Sequence, residues 1–323
     1  MLDLLAEADE AASRAATAAG VVIRELDDLA EFGAMIVLFD EIWEPDDGCP
    51  PLQLDMVRAL TKAGNYAAGA YDVASGELLG ACVGFFGPPA HAELHSHIAG
   101  VRQAGLGRSV GFALKVHQRA WCLRRDVRSI AWTYDPLIRR NSYFNLVKLG
   151  ARPVEYLRNF YGTMDDVINS GTETDRVLVR WDLASDLAVE ACAGRWQAAS
   201  FTAERDRGAV VALSAGDGGS PLVLAGHGLD GPVVDGHGLD GPVVDGHGLD
   251  GPVVDGHGLD GARTLLVGVP ADIEAMRLSA PALASAWRTA LRDVLAPLLA
   301  GGARVTGFDR SEGYVVSLGG DAR

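Results

Sequence analysis

The stretch HAELHSHIAGVRQAGLGRSVGFALKVHQRAW, residues 91–121, restricts the fold more than any other part of the chain. Glu93–Val101 reads as a strand. Residues 105–125 begin Gly-rich and then turn helical, and Ser129–Tyr134 reads as a short buried strand stopped by Asp135-Pro136. Strand, tight turn, helix and strand in this order make a crossover unit. A helix opened by a glycine turn aims backbone N–H groups at an anion, and its dipole favours negative charge there. No Gly-Lys-Ser/Thr follows the turn, so it is not a nucleotide P-loop, and no complete G-x-G-x-x-G is present. Tight turns of this kind also occur without ligands.

The flanking pattern completes a layered α/β or α+β arrangement. Residues 1–19 read as a loosely attached helix or a frayed tail. Val21–Leu26 is an expected strand, and Leu29–Trp43 and Leu52–Ala63 carry apolar residues at helical spacing. The strands Tyr66–Val73 and Leu78–Phe86 are joined by Ala74-Ser75-Gly76-Glu77 as a hairpin. A helix over Arg140–Leu149, ended by Gly150, precedes strands near Ala151–Tyr156 and Arg176–Leu183. The expected sheet is mixed and largely antiparallel. Beyond residue 183 aromatic residues thin out. Here a smaller α/β domain is expected, with a helix near Ser185–Trp196, strands at Ala209–Leu213, Leu222–Ala225 and Thr264–Val269, a helix at Ala282–Leu299 and strands at Arg304–Asp309 and Tyr314–Leu318. Trp287 falls on the apolar face of that helix and is an expected core residue. The domains are thus a tail or helix at 1–19, a main domain at 20–183 and a second domain at 184–323.

The second domain is interrupted by GHGLDGPVVD, which occurs at 226–235, 236–245 and 246–255 with a truncated copy at 256–261. Proline and three glycines per copy exclude a helix and disfavour a central strand. Metal capture by His227, His237, His247 and His257 is one reading. A solvated loop is favoured, because flexible ligands cost ordering entropy to gather.

Composition removes several classes of function. With 28 Lys and Arg against 43 Asp and Glu, the net charge is −15, unlike a nucleic-acid backbone binder. Apolar residues make up 48%, enough for packed cores. Cys49, Cys82, Cys122 and Cys192 form no C-x-x-C pair, so no zinc ribbon or dithiol redox site is encoded, and the count suits a reducing compartment. The acidic, Ala-rich start lacks the basic and apolar regions of a signal peptide, and no apolar run reaches the ~20 residues of a membrane span. A cytoplasmic protein is expected, without nucleic-acid or membrane partners. A homodimer is an assembly the sequence allows.

In context the 91–121 stretch resembles the GNAT acyltransferase superfamily, whose pyrophosphate loop reads (Gln/Arg)-x-x-Gly-x-(Gly/Ala). Arg102-Gln103-Ala104-Gly105-Leu106-Gly107 fits it in full. A second register, Leu106-Gly107-Arg108-Ser109-Val110-Gly111, fits less well, yet gives the following helix its expected length. Both registers put the diphosphate of acetyl-CoA over Gly107, Arg108 and Ser109. The likeness covers about residues 20–183 and includes Asn141–Gly150, similar to the superfamily's late helix ending in Lys-Leu-Gly. His95-Ser96-His97, Trp132–Leu137 and Asn159–Gly162 look like a branch of predicted GNAT proteins with a C-terminal extension. The resemblance implies a GNAT-like mixed, mostly antiparallel twisted sheet flanked by helices. It also implies direct acyl transfer from acetyl-CoA, or another acyl-CoA as cosubstrate, to an amine of a small molecule. Ala99, Val101, Arg102, Gly105, Gly107, Arg108, Ser109, Gly111 and Asn141 would bind the cosubstrate, and no metal is needed.

Candidates for the chemistry follow from strand alternation. Glu93, His95 and His97 are two apart and share one face. Imidazole, with an ordinary pKa near ~6.5, suits base work at neutral pH. The plainer alternative is that these are structural or solvent-facing groups. Many GNAT enzymes carry an acidic Tyr two residues before the Lys of Lys-Leu-Gly, where this chain has Leu146. Tyr134, Tyr143 and Tyr161 are the candidate substitutes. Asp135-Pro136 reads as a turn starter or a substrate carboxylate, and Arg139 and Arg140 as a solvated pair or a phosphate contact. The alternative to an enzyme is a catalytically weak or inactive CoA-binding sensor or scaffold. Metal binding through the repeat is the third reading.

Overall fold

Alternating apolar residues between 21 and 101 become four strands and two helices in a computed structural model. The structure describes residues 2–44, 51–88, 92–162, 173–224 and 263–319, and these divide into two compact units. The first comprises residues 1–135, 144–152 and 159–197. The second comprises 136–143, 153–158 and 198–323. The decapeptide repeat and Cys49 lie outside the described residues. No helix among the described residues is long and apolar enough to cross a membrane.

The first unit opens with an 18-residue helix, Leu2–Ala19 (α1). It is not loosely attached. Ala8, Ala11, Ala15 and Ala19, spaced at helical intervals, are all buried, and the small-residue face packs on a later helix, Val110–Leu123 (α4). Val21–Glu25 (β1) follows, then Leu29–Trp43 (α2) and Leu54–Lys62 (α3). Asp28 caps α2, its carboxylate accepting from the N–H of Glu31 at 2.8 Å. Tyr66–Asp72 (β2) and Leu78–Phe86 (β3) form the expected hairpin, with Asp72 accepting from the N–H groups of Ala74 and Ser75. Glu93–Val101 (β4) and Ser129–Tyr134 (β5) cover the residues expected from the sequence, and Arg176–Asp182 (β7) pairs antiparallel with β5.

These six strands lie in the order β1-β2-β3-β4-β5-β7. Every pairing is antiparallel except β4 with β5. Helices α2 and α3 bury Phe32, Met35, Leu38, Phe39 and Val57 against Ala67, Ala81 and Val83. Helices α1 and α4 stand on the α4-side face, where Gly80 approaches Val110 and Leu114. The first unit is therefore a mixed, mostly antiparallel sheet between two helical layers, as the sequence pattern implies. After β5 the late helix is short. Arg139–Tyr143 (α5) belongs to the second unit, and Phe144–Lys148 runs as a π-helical turn in the first. Arg152–Leu157 (β6) starts in the first unit and continues in the second. Asp186–Cys192 (α6), capped by Ser185, ends the first unit's regular structure.

The second unit holds a smaller sheet. Val210–Ala215 (β8), Pro221–Val223 (β9), Thr264–Gly268 (β10), Arg304–Asp309 (β11) and Gly313–Ser317 (β12) take the order β11-β12-β10-β8-β9. Two short helices not expected from the sequence, Phe201–Asp206 (α7) and Ile273–Ser279 (α8), begin at Ser200 and Asp272 caps. The long helix Pro281–Ala300 (α9) buries Trp287, as expected, and its indole N–H donates to the Gly219 carbonyl at 2.8 Å.

Candidate functional site

Strand β4 carries a break in its alternation. Ile98 pairs with Val83 and Ser96 with Gly84, so His97 is an extra residue on β4. Glu93, His95 and His97 remain on the face away from α4, and Ile98 joins them on that side, packed with the α2–α3 core. Ala99 and Val101 have thereby turned to the α4 face. Ala99 stands opposite Cys82, and Val101 meets the positions of Gly105 and Gly111.

The strand also loses one neighbour. Glu93, Leu94 and His95 pair with Ser129, Ile130 and Ala131 of β5, and beyond them no β4–β5 pair forms. From Ser96 onward the β5 side of the β4 backbone has no partner strand, which leaves a gap beside unpaired amide groups.

The loop at the end of β4 leads into this gap. Gln103–Gly105 is a single 3-10 turn, and α4 begins at Val110. Gly105 is buried, and a Cβ there would stand 2.8 Å from Val101. Gly107 adopts φ 77°, and Ser109, a non-glycine residue, adopts φ 64°. The Ser109 hydroxyl makes no capping bond. Among the described residues, the N–H groups of Gly107, Ser109, Val110 and Gly111 have no backbone acceptor. A Cβ on Gly107 would meet nothing within 4 Å, so the turn has open space over it. This donor set and this space fit a diphosphate. The register Leu106–Gly111 sets its last glycine in the first turn of α4, whereas Arg102–Gly107 ends before the helix starts.

Two arginines expected to meet the cosubstrate have their side chains engaged elsewhere. Arg108 donates to the carbonyls of Ala19 and Gly20 and pairs with Asp72 at 2.7 Å. The turn N–H of Ser75, then the Arg108 guanidinium and the N–H of Ala74, hold the Asp72 carboxyl down at about 2. Arg102 donates to Glu41 and to the Leu78 carbonyl. Both side chains tie the loop to the fold, and both backbone N–H groups are taken as well, by the carbonyls of Leu79 and Gly105. Asn141 belongs to the second unit, as does Tyr143, whose ring has Arg310 5.3 Å above it.

The acid–base candidates differ in environment. Glu93 Oε2 accepts from Ser129 Oγ and Arg180 Nε, both at 2.7 Å, so its carboxylate is held as an ion pair. His95 lies against Phe85 at 5.1 Å, and its half-burial, with His97 and Lys115 nearby, lowers its pKa to about 4. His97 is exposed at the sheet surface, and partial covering of its ring draws its pKa down as well. Both imidazoles are neutral at pH 7 and able to accept a proton. Tyr134 is buried at the end of β5. Tyr161 shares a 3.0 Å hydrogen bond with Thr133. Leu146 is fully buried.

The basic and acidic residues after β5 have partners within the protein. Asp135 is buried 3.9 Å from Arg176. Arg139 donates to the carbonyls of Val269 and Ser311, and Arg140 pairs with Glu274. Arg139 is thus held by backbone carbonyls, whereas the Arg140 side chain stays 67% exposed beside Glu274, as a solvated residue would. One functional-site candidate lies outside both the glycine turn and the β4 alternation. Lys115 stands on the buried side of α4, and a lysine among apolar helix positions is the sign that could have exposed it.

No family model matches the chain, and no curated protein matches it. Solved structures align with about half of it. An N-acetyltransferase from Staphylococcus aureus Mu50 is 14% identical, with 50% of this chain and 98% of that one covered at a TM-score of 0.42. An aminoglycoside 6'-acetyltransferase type Ii is 18% identical, with 51% and 98% covered at 0.41. An aminoglycoside 6'-N-acetyltransferase complexed with coenzyme A is 16% identical, with 51% and 98% covered at 0.39.

Proposed function

We propose that the chain is an acyl-CoA-dependent acyltransferase, moving an acyl group, by default acetyl, to an amine of a small molecule. The observation that carries this reading is the parting of β4 from β5 beyond His95, with the open N–H groups of the Gly107–Gly111 turn at the end of the same strand. Thioester chemistry needs a channel for a long thiol arm, an anchor for its phosphates and donors for a developing oxyanion. In this reading the gap, the turn that follows β4 and the unpaired β4 amides would meet these three needs. The sequence likeness to GNAT proteins over about residues 20–183 points the same way.

In this reading the backbone of Gly107, Ser109, Val110 and Gly111 holds the diphosphate. Gly105 keeps the turn close to Val101. A β4 N–H beyond His95 polarises the thioester carbonyl. His95, neutral at pH 7, accepts the amine proton directly or through water, with His97 beside it. Glu93 positions the strand edge through Ser129 and Arg180 and is not the base. The net charge of −15 favours approach of cationic amines.

Calorimetric titration with acetyl-CoA and CoA tests the proposal. Micromolar binding is expected, followed by thiol release when a panel of amines is supplied. Absence of both heat and thermal shift would overturn it. Burial of Leu146 where many GNAT enzymes carry tyrosine favours the second reading, a CoA-binding scaffold. Binding without thiol release from any amine would select that reading.

A further inference from the structure

One buried charge has no part in the chemistry above. Lys115 is 5% exposed, and its ammonium lies in a neutral cage. Nζ donates to Ser96 Oγ at 2.7 Å and to Gln118 Oε1 at 3.3 Å, and it stands 3.8 Å from the centre of the Trp132 ring. Among the described residues no carboxylate forms an ion pair with it. An ammonium buried without a counter-charge is costly, and proteins seldom keep one without a use. Burial draws its pKa down to about 8.

Its position is specific. Ser96 is the first residue of β4 beyond the last pair with β5, and Trp132 is the first residue of β5 beyond the same pair. Lys115 therefore reaches from α4 to the two residues at which the strands part. The other titratable groups around it are the thiols of Cys82 in β3 and Cys122 in α4, and His95 on β4. From β5 Trp132 faces it, and Tyr134, buried two residues further on, shares that side of the sheet. On the late helix, Asn145 accepts from the Trp132 indole at 3.2 Å, and Leu146 offers no proton.

Resting on the acyl-CoA reading above, we infer that Lys115 is the catalytic group that stabilises and protonates the leaving thiolate, in the role that the superfamily gives to a tyrosine at the position of Leu146. The acceptor nitrogen forms the new N–C bond, and the C–S bond breaks with its electron pair passing to sulfur. One amine proton goes to His95, and one N–H proton of Lys115 goes to sulfur, so CoA departs as the thiol. Transfer of the imidazolium proton to the neutral lysine through solvent restores both groups.

The test uses CoA itself and needs no acceptor. Ultraviolet absorbance of the CoA thiolate is titrated against pH for free CoA, for CoA on the wild-type protein and for CoA on Lys115→Met, each against the same protein loaded with desulfo-CoA. Below about pH 8, where Lys115 keeps its proton, the ionised fraction of the bound thiol should be at least about tenfold that of free CoA, equivalent to one pKa unit or more. Lys115→Met should return it to the free value and leave desulfo-CoA affinity unchanged, which also shows that the variant is folded. A wild-type bound thiol that titrates like free CoA would overturn the inference without any variant. So would a shift that survives in Lys115→Met. Failure to bind either CoA or desulfo-CoA would instead overturn the acyl-CoA reading on which it rests.

Discussion

Among the described pairings, β4 with β5 in the first unit and β8 with β10 in the second run parallel, and each joins only three residue pairs, with a register shift in the second. They end differently. Strand β4 runs six residues past its last β5 partner and enters a glycine turn that opens α4. Strand β10 ends at Gly268, where an added Cβ would stand 2.8 Å from the Leu213 carbonyl and 3.4 Å from the Ser214 Cα. The first pair opens and the second closes on itself. Strand β8 is followed by a 3-10 turn and the antiparallel β9, not by a helix N-terminus. Parallel pairing therefore does not make a site. A site needs strand left over beyond the pairing and a helix that starts beside it.

The largest effect that would break this contrast is placed at the glycine turns. Gly107→Asp sets a carboxylate where the diphosphate would lie and should weaken CoA binding by roughly a hundredfold, about 2.7 kcal/mol. Gly208 in the second unit has a similar backbone, φ 90°, with nothing within 4 Å of an added Cβ. Gly208→Asp carries the same strain and charge and should leave CoA affinity unchanged by calorimetry. Equal losses from both variants would show that charge or strain, and not the site, is being measured.

The second contrast is between open and closed strand ends. Gly268→Ala forces a methyl against the Leu213 backbone and should destabilise the second unit by ~2 kcal/mol. Hydrogen exchange should quicken in β8 and β10 and stay unchanged in β4 and β5. Quickened exchange in β4 and β5 as well would mean that the two units unfold together.

How far such a contrast could be read from the sequence depends on how local its causes are. The bounds of β4 and β5 follow from apolar alternation and from Asp135-Pro136, and the structure keeps them residue for residue. The extra residue at His97 is set by the pairing with β3, so the turn of Ala99 and Val101 to the α4 face was not legible. The same holds for Arg108, whose partners Ala19, Gly20 and Asp72 are brought to it by α1 and the β2–β3 hairpin. The alanine spacing of α1 was present in the sequence, but small residues give a weak signal of burial until a partner helix is known. Helices α7 and α8 are seven residues or fewer, too short for periodicity to declare them, although their Ser200 and Asp272 caps were visible.

The smallest effect expected separates the units by pH. His95, His97 and His117 all belong to the first unit, and the described part of the second contains no histidine. Burial, with Arg124 nearby, lowers the His117 pKa to about 4, and its Nδ1 is 2.9 Å from the Tyr66 hydroxyl. His95 is lowered to about 4 as well. Folded values below the ordinary ~6.5 mean that the unfolded chain binds more protons between pH 4 and 6.5. Stability of the first unit should therefore rise with pH across that window and level off above it. Hydrogen exchange in β2 and β4 should quicken as pH falls from 6.5 to 4, after correction for intrinsic rates, while β10 and β12 change little. His117→Gln should remove part of that acid-side loss. If β10 and β12 lose protection in step with β2 and β4, the histidines are not its source and the two units respond to acid as one.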